Sequence, residues 1–459
     1  MSLVKSIGKQ KVNLEFNKDF IDLFNQKIKS NDIAFINKTF ANYHPADIAN
    51  LIENLDSDTR NKLIEIEAFN IEPEIFVELN ESLQFEVLQL LKPESIAKIL
   101  RNLESDNALQ ILEKLEETKK KNVLDKLSHQ DRFLLQEGLS YPEDSAARIM
   151  QREFTAVPSE WTVGQTIDYL RESKELPEEF LEIFVVDKDF KPIGTVPSSR
   201  VLRTPRDSKM KSIMREVPVL ISVNMDKEEV GLTFENYNLV SAGVVNKDNK
   251  LIGMITADDI VTVVQEEAEE DVLRLAGVGD EEITDGVLKK TKRRFSWLLL
   301  NLFTAIIASV VIGFFQEDIE KVVALAVLMP IVASMGGNAG MQTLAVTIRA
   351  IAKKEISSGN FFKIVTKEFV IGILNGMIFA VIAAIIVQFW FNELGLSILI
   401  AVAMILKIIV AVLFGILVPI SLKKFNIDPA LASSVFVTTI TDVIGFLSFL
   451  GIGSLFFLN

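Results

Sequence analysis

Long apolar segments fill the last third of the chain and constrain its fold more than any other feature. They lie at roughly residues 296–315, 322–348, 368–391, 397–421 and 430–458. Each has about the 20 residues that an α-helix needs to cross a bilayer core of ~30 Å. Because that core offers the backbone no hydrogen-bonding partners, each segment is predicted to be a transmembrane helix in contact with lipid.

Basic residues between these segments predict the orientation of the chain. They gather before the first span, between the second and third, and before the fifth: Lys289, Lys290, Lys292, Arg293, Arg294, Arg349, Lys353, Lys354, Lys363, Lys367, Lys423 and Lys424. The opposite loops, 316–321 and the segment around Glu393, contain only Lys321. The positive-inside rule therefore places the N-terminus in the cytoplasm and the C-terminus outside. Residues 1–10, MSLVKSIGKQ, lack the apolar core of a signal peptide, which agrees with this orientation.

The fifth segment carries an ionisable residue, Asp442, at the expected depth of the membrane. Ser434, Thr438 and Asp442 recur at i, i+4 and i+8, so a helix presents them as one polar stripe. A carboxylate inside a bilayer costs about 2.5 kcal/mol or more, and it usually faces water, a partner charge or an ion. The stripe predicts a cation pathway; the alternative is a hydrated carboxylate near one membrane face.

The second segment contains the stretch PIVASMGGNAGMQ at residues 330–342. The adjacent Gly336 and Gly337 and the amide of Asn338 are unfavourable in a continuous lipid-facing helix. We expect a broken or unwound helix whose freed carbonyls line a cavity. The alternative is close helix packing through small residues.

The fourth segment contains a lysine, Lys407, whose place is not fixed by the pattern. Its side chain could extend to the membrane surface, pair with Asp442, or face a dimer interface. A fixed positive charge beside a cation pathway is unexpected.

The stretch at 330–342, followed by DPALASSVFVTTITD at 428–442, resembles the MgtE family of magnesium channels. The resemblance extends over nearly the whole chain. It implies a homodimer in the bacterial inner membrane, with a largely hydrated Mg²⁺ held by Asp442 at the dimer centre. The predicted pore site comprises the following residues, the two glycines through their backbone carbonyls: Asp442, Asn338, Ser434, Thr438, Gly336 and Gly337. A lysine at 407 is not part of the family pattern.

The part of the chain before the spans differs sharply in composition. Residues 1–294 carry a net charge of about −15, which argues against nucleic-acid binding. The chain has no cysteine and two histidines, so oxygen-ligated Mg²⁺ or Ca²⁺ suits it better than Zn²⁺. Residues 1–137 contain repeated short amphipathic units, which predict an array of helices similar to the family's superhelical N-terminal domain. His44 is interpreted as an exposed residue at a helix start.

From residue 138 onward, short β-rich runs alternate with helices. Two runs that each contain Val-Val-x-Lys-Asp resemble a tandem pair of cystathionine-β-synthase (CBS) modules, which are regulatory and in many cases bind adenine nucleotides. Gly253, Thr256 and Asp259 fit the Gly-x-x-Ser/Thr-x-x-Asp pattern that holds a ribose, and they predict an ATP site. The first module departs from this pattern at Pro197 and Arg200.

Acidic residues crowd the end of the second CBS module. The candidates for regulatory metal ligands are Asp258, Asp259, Glu266, Glu267, Glu270 and Asp271. Like charges four residues apart, as in Glu267 and Asp271, repel on a helix, and a divalent cation would relieve the repulsion. The alternative is a solvated acidic face. The family resemblance implies a Mg²⁺ sensor here, to which Asp428 also contributes, although Thr262 stands where relatives often have an acid.

The sequence therefore predicts a multi-domain protein. The domains are an all-α N-terminal superhelical domain (1–137), an α/β tandem CBS pair (138–205 and 206–272), a connecting helix (273–294) and an α-helical five-span transmembrane domain (295–459). The residues alone predict a divalent-cation pathway; the family resemblance implies Mg²⁺ import that cytosolic Mg²⁺ closes, with the connecting helix plugging the pore. The alternatives are a less selective Co²⁺ or Mn²⁺ pathway, a cation-coupled transporter, or a membrane nucleotide sensor without transport. The sequence shows no pairing of a nucleophile with a base, so we do not expect an enzyme.

Overall fold

The computed structural model describes residues 16, 18–66, 73–173, 176–177, 180–217, 219–278, 287–357 and 359–457. The chain separates into two compact units, residues 1–265 and 266–459, and each is described by itself. Residues 1–10, which are predicted not to form a signal peptide, lie outside the described residues, as do residues 279–286 of the predicted connecting helix.

The first unit begins with short helices that enclose one apolar core, as the repeated amphipathic units predict. Most of them start at a polar cap or a proline; His44, for example, caps its helix by accepting a bond from the Ala46 amide at 3.3 Å. This confirms His44 as a helix start. The helices are Lys18–Lys29 (α1), Ile33–Phe40 (α2), Pro45–Glu53 (α3), Ser57–Glu65 (α4), Pro73–Glu78 (α5), Glu81–Leu90 (α6), Pro93–Leu100 (α7), Ser105–Glu113 (α8), Glu117–Leu124 (α9) and His129–Ser140 (α10).

Two small sheets follow, with the same internal plan. In each, a parallel pair of strands is extended by an antiparallel hairpin, and the order is β1-β2-β3-β4 and β5-β6-β7. The strands are Ala156–Pro158 (β1), Glu182–Val186 (β2), Pro192–Pro197 (β3), Arg215–Glu216 (β4), Ile221–Ser222 (β5), Ser241–Val245 (β6) and Leu251–Thr256 (β7). Their helices are Val163–Glu172 (α11), Ser198–Leu202 (α12), Met210–Ile213 (α13), Lys227–Tyr237 (α14) and Ala257–Leu275 (α15).

The segment that leads into the first sheet packs on the second one. A short 3₁₀ helix, Ala146–Arg148, and the buried Met150 belong to the same apolar core as Ile221 and Ile255. The Gln151 amide also donates to the Met254 carbonyl at 2.7 Å. Residues 146–151 thus hold α15 and β7 in place, and the module boundaries at 138, 205 and 272 stay a prediction.

The second unit is helical. Among the described residues, five helices are long and apolar enough to cross a membrane, as predicted: Lys290–Gly313, Ala324–Ala352, Phe361–Phe391, Leu394–Lys424 and Ser433–Phe457. They lie within Val287–Gly313 (α16), Ala324–Ala352 (α18), Phe361–Phe391 (α19), Leu394–Lys424 (α20) and Pro429–Phe457 (α21), and Gln316–Lys321 (α17) lies between the first two. Buried residues recur along α20 from Leu396 to Pro419, so this helix forms the centre of the bundle.

One expectation about the backbone is wrong. The stretch 330–342 is not unwound: α18 continues through Pro330 and all three glycines. Residues 287–294 are the first two turns of α16, and the connecting helix predicted for 273–294 stays a prediction. Glycine in α18 therefore needs another explanation than a broken helix, and the contacts of Gly336 supply it.

Candidate functional site

Asp442 lies on α21 and is paired with Lys407 from α20. The Lys407 ammonium donates to Asp442 Oδ1 at 3.1 Å and lies 5.4 Å from the centre of the Phe446 ring. The lysine side chain is fully enclosed (0% exposed), whereas the Asp442 side chain is 35% exposed. Of the three places that the sequence leaves open for Lys407, the structure selects the ion pair.

Two glycines make room for this lysine. A Cβ at Gly336 on α18 would lie 2.6 Å from Lys407 Cγ, and one at Gly445 on α21 would lie 2.7 Å from its Nζ. Both separations are shorter than real Cβ contacts, so any side chain at either position displaces the lysine. Gly336 is thus a packing glycine, as in the alternative explanation of the 330–342 stretch, while a Cβ at Gly337 would meet nothing within 4 Å.

The polar stripe on α21 is formed as predicted. Ser434, Thr438 and Asp442 follow one another along the helix and are all partly exposed. The Thr438 hydroxyl donates to the Ser434 carbonyl at 2.9 Å, as threonines in membrane helices often do. Its oxygen keeps the capacity to accept a bond, so the stripe offers acceptors of which Asp442 is the charged one.

Asn338 lies on the surface of the membrane unit and not beside the enclosed Lys407. It lines a groove of about 250 Å³ whose described lining comes from α18, α19 and α20 and includes Gln342, Glu368 and Asn375. Asn338, Gln342 and Asn375 are exposed. The joint role of the six predicted pore residues in ion binding therefore stays a prediction.

In the first unit, Asp259 at the start of α15 meets a second carboxylate that sequence reasoning missed. Asp106, in the first turn of α8, is 3% exposed, and its Oδ1 has no hydrogen-bond partner. Burial, reinforced by the charge of Asp259, raises the pKa of Asp106 well above its usual range. Burial likewise raises the pKa of Asp259, although the Thr256 hydroxyl donates to it and stabilises its charge.

Gln151 joins the same group of side chains. Its side-chain amide, through Nε2, donates to Glu104 at 3.0 Å and to Asp259 at 3.2 Å. Glu104, Asp106 and Asp259 thus converge from α15 and from the start of α8, whereas Asp258 points to solvent. No signal in the sequence separates Asp106 from the many acids that open helices in this chain.

In the second unit, one of the predicted acids at the end of α15, Glu270, shares an arginine partner with Asp428. The Arg274 guanidinium pairs with both Glu270 and Asp428. Asp428 also accepts a bond from the Ala430 amide at 2.8 Å, which caps the start of α21. Burial, followed by the charges of Asp428 and Glu267, raises the pKa of Asp271 to about 6. Glu266 is exposed on the same helix.

No group of three or more acidic, histidine or cysteine side chains has metal-binding geometry within the described parts of a single chain. The acids form groups of two or three. Within a group they repel one another, or they bind the same partner side chain, Gln151 or Arg274. Both arrangements can accept a cation only with some rearrangement or with ligands from elsewhere.

The predicted ribose motif is formed in part. Thr256 and Asp259 are hydrogen-bonded to each other, and a Cβ at Gly253 would lie 2.8 Å from the Gln151 carbonyl, which explains that glycine by packing. The corresponding Pro197 and Arg200 of the first module line a pocket of about 310 Å³ together with Arg203 and Arg215. ATP binding stays a prediction.

Family comparisons cover most of the chain. Residues 329–452 match MgtE, described as a divalent cation transporter, and residues 43–144 match the MgtE intracellular N domain. Residues 146–207 and 210–266 each match the CBS domain.

Individual proteins give the same pattern. The magnesium transporter MgtE of Bacillus subtilis is 31% identical over 319 residues, which are 69% of this chain and 71% of that protein. The magnesium transporter MgtE of Enterococcus faecalis is 31% identical over 322 residues, 70% of this chain and 71% of that protein. Among solved structures, the soluble part of a magnesium transporter aligns with a TM-score of 0.50 at 23% identity, over 55% of this chain and 99% of that one. This last likeness concerns the fold.

Proposed function

Because this chain belongs to the MgtE family of magnesium transporters, we propose that it is a channel-like, Mg²⁺-selective importer whose ion pathway passes Asp442. The observation that carries this proposal is a partly exposed carboxylate on a membrane-spanning helix, in line with Ser434 and Thr438. An ionisable group at this depth normally serves an ion pathway or a charge partner.

The chemistry of the stripe suits a hydrated ion. Mg²⁺ sheds water reluctantly and is usually held through one or two carboxylates while it keeps several waters. Asp442 supplies one carboxylate per chain, and the oxygens of Ser434 and Thr438 can accept bonds from the water shell. The carbonyls of Gly336 and Gly337 lie within the continuous helix α18, so their predicted role is weaker than that of Asp442.

A second copy of the chain would complete this site. Asp442 is 35% exposed, and Asn338, Gln342 and Asn375 are exposed on helices that cross the membrane. Polar groups at that depth require a polar or protein neighbour instead of lipid. We infer a homodimer whose pore lies between the two chains.

The acids outside the membrane would sense cytosolic Mg²⁺. A divalent cation near Asp259 and Asp106 would replace carboxylate repulsion by attraction, and the same holds for Asp271 and Glu267. We propose that filling of these sites at high internal Mg²⁺ is transmitted to the spans through the segment 273–294 and closes the pathway. We further propose that the protein lies in a bacterial inner membrane with the sensor in the cytoplasm and the C-terminus outside; the basic residues near the spans support this orientation.

The test is Mg²⁺ flux into proteoliposomes that contain a Mg²⁺-sensitive dye, with the native chain and Asp442→Asn at equal density. We expect flux from the native chain and a loss of at least about tenfold in the variant, because the charge that stabilises the ion is gone. Asp318→Asn, in the short helix α17 between the first two spans, is the matched control and should keep native flux. Equal flux from native and Asp442→Asn protein would remove Asp442 from the pathway.

The same assay separates the alternatives. Co²⁺, Mn²⁺ and Ca²⁺ flux at rates similar to Mg²⁺ would favour a less selective pathway, and flux driven by a second ion gradient would favour a coupled transporter. A nucleotide sensor without transport is supported by the CBS pair and its motif of Gly253, Thr256 and Asp259, and it requires ATP binding with no ion flux. The proposal assigns transport, not catalysis, to the chain.

A further inference from the structure

Contacts from three helices of the membrane unit hold Lys407 in one position. Its stem runs between Gly336 of α18 and Gly445 of α21, where any side chain would displace it, and its ammonium ends on Asp442. Three helices, α18, α20 and α21, therefore define one position for the Lys407 ammonium. An arrangement that uses two glycines to seat a lysine differs from a lysine that reaches toward the membrane surface.

The ammonium approaches Asp442 from the enclosed side. The Lys407 side chain is 0% exposed, while Asp442 is 35% exposed. Since the ammonium binds Oδ1, Oδ2 can accept bonds from the water shell of an ion on the opposite, open side. The two cations would share one carboxylate without occupying the same space.

We propose that Lys407 is a positioning residue that orients Asp442 and sets the charge felt by the transported ion. This inference rests on the proposed function. The ion pair brings the net charge at the site close to zero in each chain, so a divalent cation is held by what remains of the field of Asp442 and by dipoles. Positive charge that close to a divalent ion weakens binding even when the carboxylate screens part of it.

Weak binding favours conduction. A pathway must hold an ion well enough to admit it and loosely enough to release it. Two Asp442 carboxylates without counter-charges would hold a divalent cation tightly and release it slowly. Lys407 thereby exchanges affinity for throughput, and a chain without it would saturate at lower Mg²⁺ and turn over more slowly.

The test compares Lys407→Met and Lys407→Gln with the native chain in Mg²⁺-loaded flux assays over a range of concentrations. Methionine keeps the apolar stem between the glycines and removes the charge, and glutamine also keeps a hydrogen-bond donor for Asp442. We expect the half-saturating Mg²⁺ concentration to fall about tenfold in both variants, equivalent to about 1.4 kcal/mol, and the maximal rate per folded protein to fall as well. A smaller fall in rate for glutamine than for methionine would assign part of the effect to orientation.

Other outcomes overturn the inference. A lysine needed only for folding would lower the amount of active protein and leave the half-saturating concentration at its native value. If neither variant assembles in the membrane while native protein does, Lys407 acts in folding alone. Flux that is absent from the native chain, or that persists in Asp442→Asn, defeats the proposed function itself, so the two failures are distinguishable.

Discussion

Asp442 in the membrane unit and Asp106 in the unit of residues 1–265 are carboxylates with opposite surroundings. Asp442 receives a complete counter-charge from Lys407 at 3.1 Å and stays partly exposed. Asp106 is 3% exposed, has an oxygen without a hydrogen bond, and faces another carboxylate, Asp259. The first acid is neutralised by a lysine of the same chain, whereas burial and the charge of Asp259 favour the neutral, protonated form of the second.

This difference separates two tasks. An ion that passes must not be bound tightly, so a carboxylate with its own ammonium suits a pathway. An ion that reports a concentration must change the structure when it binds, so two carboxylates that repel until it arrives suit a sensor. Variants at the two acids and at the residues around them should therefore respond differently.

The largest effect is expected at the glycine that seats the lysine. Gly336→Ala places a methyl group within 2.6 Å of Lys407 Cγ, so the lysine side chain must move away from its position beside Asp442. Overpacking of this kind costs about 1–3 kcal/mol, and Mg²⁺ flux should fall with it. Thermal unfolding in detergent and flux measure the two losses.

Gly337→Ala is the control for this change. It lies on the same helix, gains the same helix propensity, and meets nothing within 4 Å. Equal unfolding temperature and flux in the two variants would mean that Lys407 adapts to a side chain at Gly336. The two glycines would then not hold Lys407 in one position beside Asp442.

The next effect concerns the acid pair of the first unit. Asp106→Asn replaces a carboxyl whose ionised form is disfavoured by burial and by the charge of Asp259 with a neutral amide that can donate to Asp259, so the unit should gain about 1–3 kcal/mol. The stabilisation that added Mg²⁺ gives to the native chain should shrink in the variant. Melting temperatures with and without MgCl₂ measure both changes.

Asp58→Asn is the matched control, since Asp58 also lies in the first turn of a helix but is exposed. A loss of stability in Asp106→Asn, with the Mg²⁺ response intact, would show that the carboxylate of Asp106 is not a place where a cation is needed.

A smaller effect is expected where one guanidinium serves two acids. Arg274→Gln removes the partner of Glu270 and Asp428, so repulsion among the neighbouring carboxylates increases. Pairs that are this exposed contribute about 0.2–1 kcal/mol, and Mg²⁺ should inhibit flux at a concentration a few times lower. Arg274→Lys should restore most of the native response, and an unchanged Mg²⁺ dependence in Arg274→Gln would exclude this cluster from sensing.

A further effect depends on pH. The pKa of Asp271 is raised to about 6, so the folded chain favours the protonated acid. That contribution to stability is complete below the ordinary pKa of about 4 and is lost as the pH rises through 6. Asp271→Asn should therefore melt above the native chain at pH 7.5 and together with it at pH 4. A constant difference across this range would assign the effect to packing.

The sequence was sufficient to predict the five spans, the helical array and the stripe of Ser434, Thr438 and Asp442, because each is a periodic pattern in one segment. It could not select the place of Lys407, since pairing with Asp442 depends on how α20 packs against α21. It was wrong about the stretch 330–342, where glycine was interpreted as a helix breaker. In α18 the cost of Gly336 is offset by the lysine that its missing side chain admits.

Asp106 illustrates the opposite failure. An acid in the first turn of a short helix normally interacts with the helix dipole and with water. Only the fold brings α8 beside α15 and encloses Asp106 with Asp259. Burial of a charged residue among helices of similar composition has no signature in one sequence.

The seating of Lys407 between Gly336 and Gly445 also restricts the order in which these positions can change over evolutionary time. A side chain at either glycine has to displace the lysine while the lysine is present, because its Cβ would intrude on the lysine side chain. The lysine, in contrast, can be replaced first while both glycines remain. Descendants that lose the lysine are then free to fill the space from either helix, and that step closes the way back to a lysine at this position.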